Sequence, residues 1–360
     1  MRGRRLVPAH GLIGGARPYT PRLMVPLSIL DLVPVTVGST PGLALRNSLD
    51  LAQHAERFGY RRYWVAEHHN MKGIASAATS VVIAHLAGGT STIRVGAGGI
   101  MLPNHSPMVI AEQFGTLDAL HPGRIDLGLG RAPGSDQLAA RALRRDPERA
   151  DDFPREVMQL QAFLAPEQPG QAIRAFPGVG SEVPLWILGS SLYGAQLAAA
   201  LGLPYAFASH FAPDALMAAL QTYRVDFQPS NQLERPYAMI GVNITVADTD
   251  AEATRLFTTV QQGFTNLRRG TPGPYQPPID DIDQYWTPTE RIQASHMLKH
   301  SIVGSPATVR AGLEQIIDLT GADELMVVSA IYDHDQRVRS YELLAEVAAS
   351  MSATTSRAAS

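Results

Sequence analysis

The sequence contains no cysteine among its 360 residues. Disulfide bonds, thiolate nucleophiles and cysteine-ligated metals are therefore excluded. An excess of one charge is also lacking, because 30 basic and 33 acidic residues leave a formal net charge of −3. This balance argues against nucleic acids and anionic membranes as partners, since both attract clustered Lys and Arg. No apolar run approaches the ~20 residues of a membrane span, so we expect a soluble, cytoplasmic protein.

The two ends of the chain differ from the rest in composition. The first 24 residues contain five arginines and no acidic residue, and proline and glycine interrupt them repeatedly. A targeting peptide is one interpretation, but its apolar core would be too short and too rich in glycine. We therefore expect a disordered leader over 1–24 and a disordered tail over 348–360. A single folded domain is predicted over 25–347.

Between the ends, short apolar runs alternate with amphipathic segments. Helical periodicity is clear in 43–58 and 306–320, which stop before Gly59 and Gly321. Nearly continuous apolar runs joined by helices are typical of buried parallel strands with right-handed crossovers. Eight such runs predict an α/β fold, a single closed (β/α)8 TIM-type barrel. The predicted strands are 27–33, 61–67, 94–102, 124–130, 184–189, 204–209, 238–247 and 323–329.

Two connections are too long to be simple turns, and they cover 131–183 and 248–305. Long connections in compact domains usually form lids or binding loops, or are disordered. Both follow strands, so both are expected at the C-terminal face of the barrel, where barrel active sites are built.

Two adjacent histidines, His68 and His69, end the second predicted strand. Adjacent side chains on a strand point to opposite faces, so the pair is poorly placed to bind one metal ion. The His-Glu-x-x-His pattern of zinc helices is also absent, and we predict no metal site. Either both histidines bond to backbone or carboxylate groups, or one faces the barrel mouth as a proton-transfer group, for which a pKa near ~6.5 is suitable.

The third predicted strand contains consecutive glycines, Gly98 and Gly99, although glycine weakens a buried strand. A flat ligand that approaches the backbone would explain them, as would a strained conformation that only glycine tolerates. The alternative is a bulge or the tight packing of a neighbouring side chain. The pair alone does not decide between these interpretations.

The fourth predicted strand ends at Gly130 and is followed by Arg131. Gly128 and Gly130 superficially resemble a dinucleotide fingerprint, but the glycine spacing is wrong and Pro133 interrupts the position where the helix should begin. An arginine at the barrel mouth with little bulk around it is well suited to a charge-assisted bond with a phosphate. The alternative is a surface salt bridge.

The fifth predicted strand ends in Gly189, Ser190 and Ser191, and a helix is predicted from about Leu192. Small residues at a helix N-terminus leave backbone N–H groups, and the positive end of the helix dipole, free to bind an anion. Plain N-capping would explain the serines alone. Combined with Arg131, they favour a phosphate-binding site.

Taken together, these motifs resemble one known family. Over 25–347 the chain is similar to the luciferase-like monooxygenases, the flavin-dependent superfamily that includes the bacterial luciferase subunits. The motifs that carry the resemblance are Glu67-His68-His69, Val95 through Ile100 with Pro103, Pro107, Ala111-Glu112, Gly123-Arg124 through Arg131, Gly202-Leu203-Pro204, and Val303-Gly304-Ser305-Pro306.

The resemblance implies an eight-stranded barrel that binds reduced FMN from a separate flavin reductase and uses O2 to oxygenate a small organic substrate. It also suggests a homodimer, and it implies a non-proline cis peptide at Gly98–Gly99 beneath the flavin ring. His68 matches the histidine assigned to proton transfer at the flavin, and Arg131 with the two serines matches the phosphate site. The predicted cofactor-binding residues are Gly98, Gly99, Gly130, Arg131, Gly189, Ser190 and Ser191.

The chain departs from bacterial luciferase at two positions. Ser190 and Gly130 stand where luciferase has a glutamate and a cysteine near the flavin, so the resemblance does not extend to light emission. A deazaflavin-dependent enzyme that moves hydride on the same barrel remains an alternative, as does a non-catalytic FMN-binding protein. A metal-dependent hydrolase is disfavoured because the ligand spacing is missing.

Overall fold

The computed structural model describes residues 24–132, 137–144 and 152–358. Within these ranges the chain forms nine strands: β1 Leu27–Asp31, β2 Arg62–Val65, β3 Arg94–Met101, β4 Ile125–Gly130, β5 Leu185–Gly189, β6 Tyr205–Phe207, β7 Ala238–Val246, β8 Ile302–Gly304 and β9 Glu324–Val328. The helices are α1 Pro41–Phe58, α2 Thr79–Gly88, α3 Pro107–Leu120, α4 Gln137–Ala142, α5 Phe153–Leu164, α6 Leu192–Leu201, α7 Leu216–Asp226, α8 Asp250–Arg268, α9 Pro288–Met297, α10 Pro306–Thr320 and α11 His334–Ala358.

Eight of these strands close into a parallel barrel. Strands β1 to β7 pair in chain order, and β9 pairs with both β7 and β1 to complete the ring. Strand β8 lies outside the ring and pairs with the end of β7, where Ile302 is opposite Ile244. The predicted TIM-type barrel is confirmed, since strands and helices alternate around it.

Local sequence explains where the two best-defined helices stop. Helix α1 is followed by Gly59 and α10 by Gly321, and both glycines have left-handed backbone angles, with φ of 83° and 57°. Glycine adopts this conformation without a steric penalty. Both predicted helix ends are therefore confirmed.

Side chains that point into the barrel form distinct layers. The middle layer is apolar, and in it Trp64 and Trp186 meet edge to face with ring centroids 5.2 Å apart. Below it, at the N-terminal ends of the strands, buried Arg62 donates to Glu324 at 2.7 Å and to Asp126 at 2.7 Å. Apolar and ion-paired groups thus fill the lower barrel, and the C-terminal end is left for a site.

Each of the eight predicted strands lies in the barrel, within two residues of its predicted ends. Strand β8 was not predicted, because its three residues lie inside the second long connection. The predicted tail at 348–360 is wrong over 348–358, where α11 continues and buries Met351 against the core. Apart from Met24, the predicted leader lies outside the described residues, as do 359–360. None of the described helices is both long and apolar enough to cross a membrane.

Candidate active site at the carboxyl end of the barrel

The buried carboxylate of Glu67 organises the loops that follow β2 and β3. His69 Nε2 donates to Glu67 Oε1 at 2.8 Å, and His105 Nε2 donates to Oε2 at 2.9 Å. Burial by itself would raise the pKa of Glu67, but these hydrogen bonds, led by that of His105, lower it below the usual 4.5. His69 therefore has the structural role that the sequence left open for it.

Glu67 also fixes the backbone around the glycine pair. Its own N–H donates to the carbonyl of Gly99 at 3.1 Å, and its carboxylate accepts from the N–H of Met101 at 2.9 Å and from the side chain of Asn104 at 2.9 Å. A single buried residue thus holds the end of β3 from both sides. Sequence reasoning missed this role, although polar residues after the third strand were a visible signal.

His68 faces the barrel mouth rather than the cluster around Glu67. The inward-pointing side chains of β2 include Trp64 and Ala66, and alternation places His68 next on the same side. It is half-buried and has no hydrogen bond to the described part of the chain. Burial lowers its pKa below 6.5, while the charge of Glu67 opposes the shift, so the ring is neutral at neutral pH.

A second histidine that the sequence analysis did not select, His210, also lies at the mouth, three residues after β6. Its Nδ1 is buried and has no hydrogen-bond partner among the described residues. Burial, together with the nearby charge of His68, lowers the pKa of His210 to about 4. A histidine immediately after a predicted strand was the signal that could have revealed it.

The peptide bond between Gly98 and Gly99 is cis, so the expectation drawn from the resemblance is confirmed. The pairing of β3 with β4 shifts register between Ala97 and Ile100. A Cβ at Gly98 would lie 2.9 Å from Cε3 of Trp64, and one at Gly99 would lie 2.5 Å from the carbonyl oxygen of Gly128. A bulge and tight packing therefore suffice to explain the two glycines.

The structure brings together the residues predicted to bind phosphate. Arg131 follows β4 and stacks on Tyr193, with its Cζ 4.0 Å from the ring centroid. Tyr193 lies in the first turn of α6, the helix that directly follows Ser190 and Ser191, and both serines are exposed. Ser191 is the N-cap of α6, yet its hydroxyl makes no capping hydrogen bond. The exposed guanidinium of Arg131 thus lies beside the N-terminus of α6, where the hydroxyl of Ser191 makes no capping hydrogen bond.

The other two predicted cofactor-binding glycines are explained by packing as well. A Cβ at Gly130 would lie 2.9 Å from the sulfur of Met101, and one at Gly189 would lie 3.1 Å from the hydroxyl of Tyr205. A side chain at either position would force its neighbour to shift, so packing favours small residues at the ends of β4 and β5. A role for either glycine in binding a cofactor stays a prediction.

The connection after β7 reaches across to the loops that follow β1 and β2. Tyr275 exchanges backbone hydrogen bonds with Val35 and Val37, each 2.9 Å long. A Cβ at Gly73 would overlap the carbonyl oxygen of Gly273. This Gly- and Pro-rich segment, 270–278, therefore lies at the mouth, the end of the barrel at which the sequence placed the connection 248–305. Within the described ranges, no three His, Cys, Asp or Glu side chains are grouped to hold a metal ion.

Comparison with known proteins identifies the family. The family model described as luciferase-like monooxygenase matches residues 25–324. The chain belongs to the luciferase-like monooxygenase family. A luciferase-like monooxygenase of Escherichia coli K12 is 55% identical over 324 residues, which are 90% of this chain and 97% of that protein. The predicted family is thereby confirmed.

Solved structures share the fold of this chain. The crystal structure of apo-MsnO8 is 38% identical, with a TM-score of 0.79 over 90% of this chain and 98% of that one. The oxygenating constituent of 3,6-diketocamphane monooxygenase from Pseudomonas putida, a type II Baeyer–Villiger monooxygenase in complex with FMN, is 18% identical. Its TM-score is 0.68 over 91% of this chain and 98% of that one, and at this identity the likeness concerns the fold alone.

Proposed function

We propose that this family member is an FMN-dependent monooxygenase that uses reduced FMN and O2 to oxygenate a small organic substrate. The observation that carries the proposal is the exposed guanidinium of Arg131 beside the N-terminus of α6, at the same end of the barrel as His68. When bound, reduced flavin would supply the electrons that activate O2. The protein's part is to bind, orient, exclude water and move protons.

The phosphate of FMN is held by Arg131, Ser190 and Ser191 in this proposal. The guanidinium offers charge-assisted hydrogen bonds, and the start of α6 offers backbone N–H groups and the serine hydroxyls. Stacking on Tyr193 keeps the guanidinium at this position. Because these groups are exposed, a phosphate can reach them from solvent.

His68 is the proton-transfer group of the proposed site. Its half-buried ring is neutral at neutral pH and can take up a proton on an imidazole nitrogen. Segment 270–278, held by Tyr275 against the loop after β1, helps to exclude water from the mouth. A separate reductase would supply the reduced FMN, and the homodimer implied by the resemblance belongs to the same proposal.

Comparing FMN with riboflavin, which lacks the phosphate, tests the phosphate site. Titrations monitored by flavin fluorescence should show tighter binding of FMN, and Arg131→Ala should remove about 10- to 100-fold of this preference. Arg155→Ala, at a side chain 81% exposed on α5, is the matched control and should leave both affinities unchanged. An unchanged preference for FMN in Arg131→Ala would remove the phosphate assignment.

His68→Ala separates proton transfer from binding. This variant should bind FMN about as well as the wild type but oxygenate more slowly, which is measured as the rate at which protein-bound reduced FMN is reoxidised by O2, with free reduced FMN as the reference. Equal activity in the variant would leave His68 without a catalytic role. Reaction of the protein-bound reduced cofactor with O2 also separates this proposal from the deazaflavin alternative, in which hydride moves without oxygen.

A further inference from the structure

His68 and His210 come from opposite walls of the barrel. Strands β2 and β6 are four places apart in the ring of eight, so inward side chains beyond their ends meet over the barrel axis. Gly241 follows inward-facing Met239 by two residues and lies against the His210 ring, which places that ring at the inner face of the barrel. Whatever occupies the mouth therefore meets two imidazoles, not one.

Neighbouring residues hold the imidazole of His210 in place. Position 241 faces the interior of the barrel, because it follows inward-facing Met239 by two residues. A Cβ added to Gly241 would overlap the Nδ1 of His210. Phe211 packs edge to face on the ring at 4.8 Å. The side chain of Asn243 donates to the carbonyl oxygen of His210 at 2.6 Å and fixes the backbone. The ring is thus held in one orientation.

This packing favours one tautomer of the His210 ring. Nδ1 is buried against Gly241 without a hydrogen-bond partner among the described residues. A protonated Nδ1 would bury an N–H with no acceptor, which is costly, whereas a bare Nδ1 only forgoes a bond. The neutral ring therefore carries its hydrogen on Nε2, the nitrogen that does not face Gly241.

We propose that His210 is a further cofactor-facing residue of the site, which donates its Nε2–H to an acceptor atom of the reduced flavin ring. The inference rests on the proposed function, because in that proposal the flavin occupies the mouth of the barrel at which His68 and His210 both lie. Burial, with the charge of His68, keeps the pKa of His210 at about 4, so this donor is uncharged at neutral pH. A donor at the ring favours the reduced flavin, because reduction adds electron density to the ring's acceptor atoms.

A measurement on the flavin-free protein tests the tautomer directly. With histidine labelled by 15N, NMR should show His210 neutral between pH 8 and pH 5 with a bare Nδ1, and His210→Gln identifies its signal. A ring that takes up a proton above pH 6, or one protonated on Nδ1, would overturn the inference. This readout requires neither cofactor nor turnover.

Binding of FMN in its two redox states tests the contact. An anaerobic titration of His210→Phe should show about 10-fold weaker binding of reduced FMN and a smaller change for oxidised FMN. His210→Gln places an amide N–H near the Nε2 position and should restore most of the affinity, whereas His210→Asn, which mimics Nδ1, should not. Thermal unfolding of each variant separates loss of the donor from loss of the fold.

The failures of the two proposals are distinguishable. If wild-type protein binds reduced FMN and His210→Phe binds it equally well, the inference about His210 is wrong and the proposed function stands. Equal weakening by the Gln and Phe variants would also contradict the donor role, since the amide keeps the N–H. If wild-type protein binds FMN in neither redox state, the proposed function itself fails, and the contact with the flavin fails with it.

Discussion

Replacing Glu67 by glutamine removes acceptors while keeping the shape of the side chain. Oε1 accepts from His69 and Asn104, and Oε2 accepts from Met101 and His105. In Glu67→Gln one oxygen becomes an NH2 group that faces two partly buried donors, and each donor left unpaired costs about 1–3 kcal/mol. A change of histidine tautomer relieves one of them, so we expect a loss of about 2 kcal/mol in the free energy of unfolding.

The pH dependence of this loss follows from the lowered pKa of Glu67. Its folded-state pKa lies below 4.5, so its stabilising effect is complete above pH 4.5 and is lost as the pH falls through the folded value. The difference in the free energy of unfolding between wild type and Glu67→Gln should therefore be largest at pH 7 and should decrease toward pH 3.5. Urea unfolding, monitored by the fluorescence of buried Trp64 and Trp186, measures it.

The control for this series is Glu167→Gln, which removes an exposed carboxylate paired with Arg174. A surface pair contributes little, so this variant should unfold like the wild type at every pH. Equal stability of Glu67→Gln and wild type at pH 7 would refute the role assigned to Glu67. A difference in the free energy of unfolding that stays constant down to pH 3.5 would refute the claim that folding lowers the pKa of Glu67.

Three further predictions concern other parts of the barrel. Glu324→Gln should lower the free energy of unfolding by about 3 kcal/mol, because buried Arg62 loses a partner; FMN titration should show unchanged affinity, because this layer is at the opposite end. Tyr193→Leu should weaken FMN binding about 2- to 5-fold through loss of the contact with Arg131. Because of His210, the free energy of unfolding of the wild type should fall by about 3 kcal/mol between pH 6.5 and pH 4, since only the unfolded ring takes up a proton in this range. Urea unfolding of His210→Phe should lack this decrease.

The barrel could be predicted from the sequence because its strands are unusually uniform. Buried parallel strands such as 94–102 and 238–247 read as apolar runs, and the helices between them end at Gly59 or Gly321. The tail could not be predicted in this way. Its Ala- and Ser-rich composition suggests disorder, but Met351 gives α11 an apolar contact with the core, and such a tertiary contact is invisible in local composition.

The candidate site was predictable in part. Motifs that follow single strands located His68 and Arg131, and the neighbouring strands β4 and β5 bring Arg131 to the start of α6. The roles of Glu67 and His210 were missed, because they depend on residues far apart in the chain. No local pattern shows that Gly241 makes room for the ring of His210, across 31 positions of sequence.

An anaerobic titration of the wild-type protein with reduced FMN, followed by the admission of oxygen, tests the proposed function most directly. Flavin absorbance and fluorescence would be followed in both stages. We predict saturable binding of reduced FMN and, after oxygen is admitted, a return to the oxidised spectrum at a rate different from that of free reduced FMN. Absence of binding in either redox state would contradict the proposal and direct the search toward a deazaflavin on the same barrel.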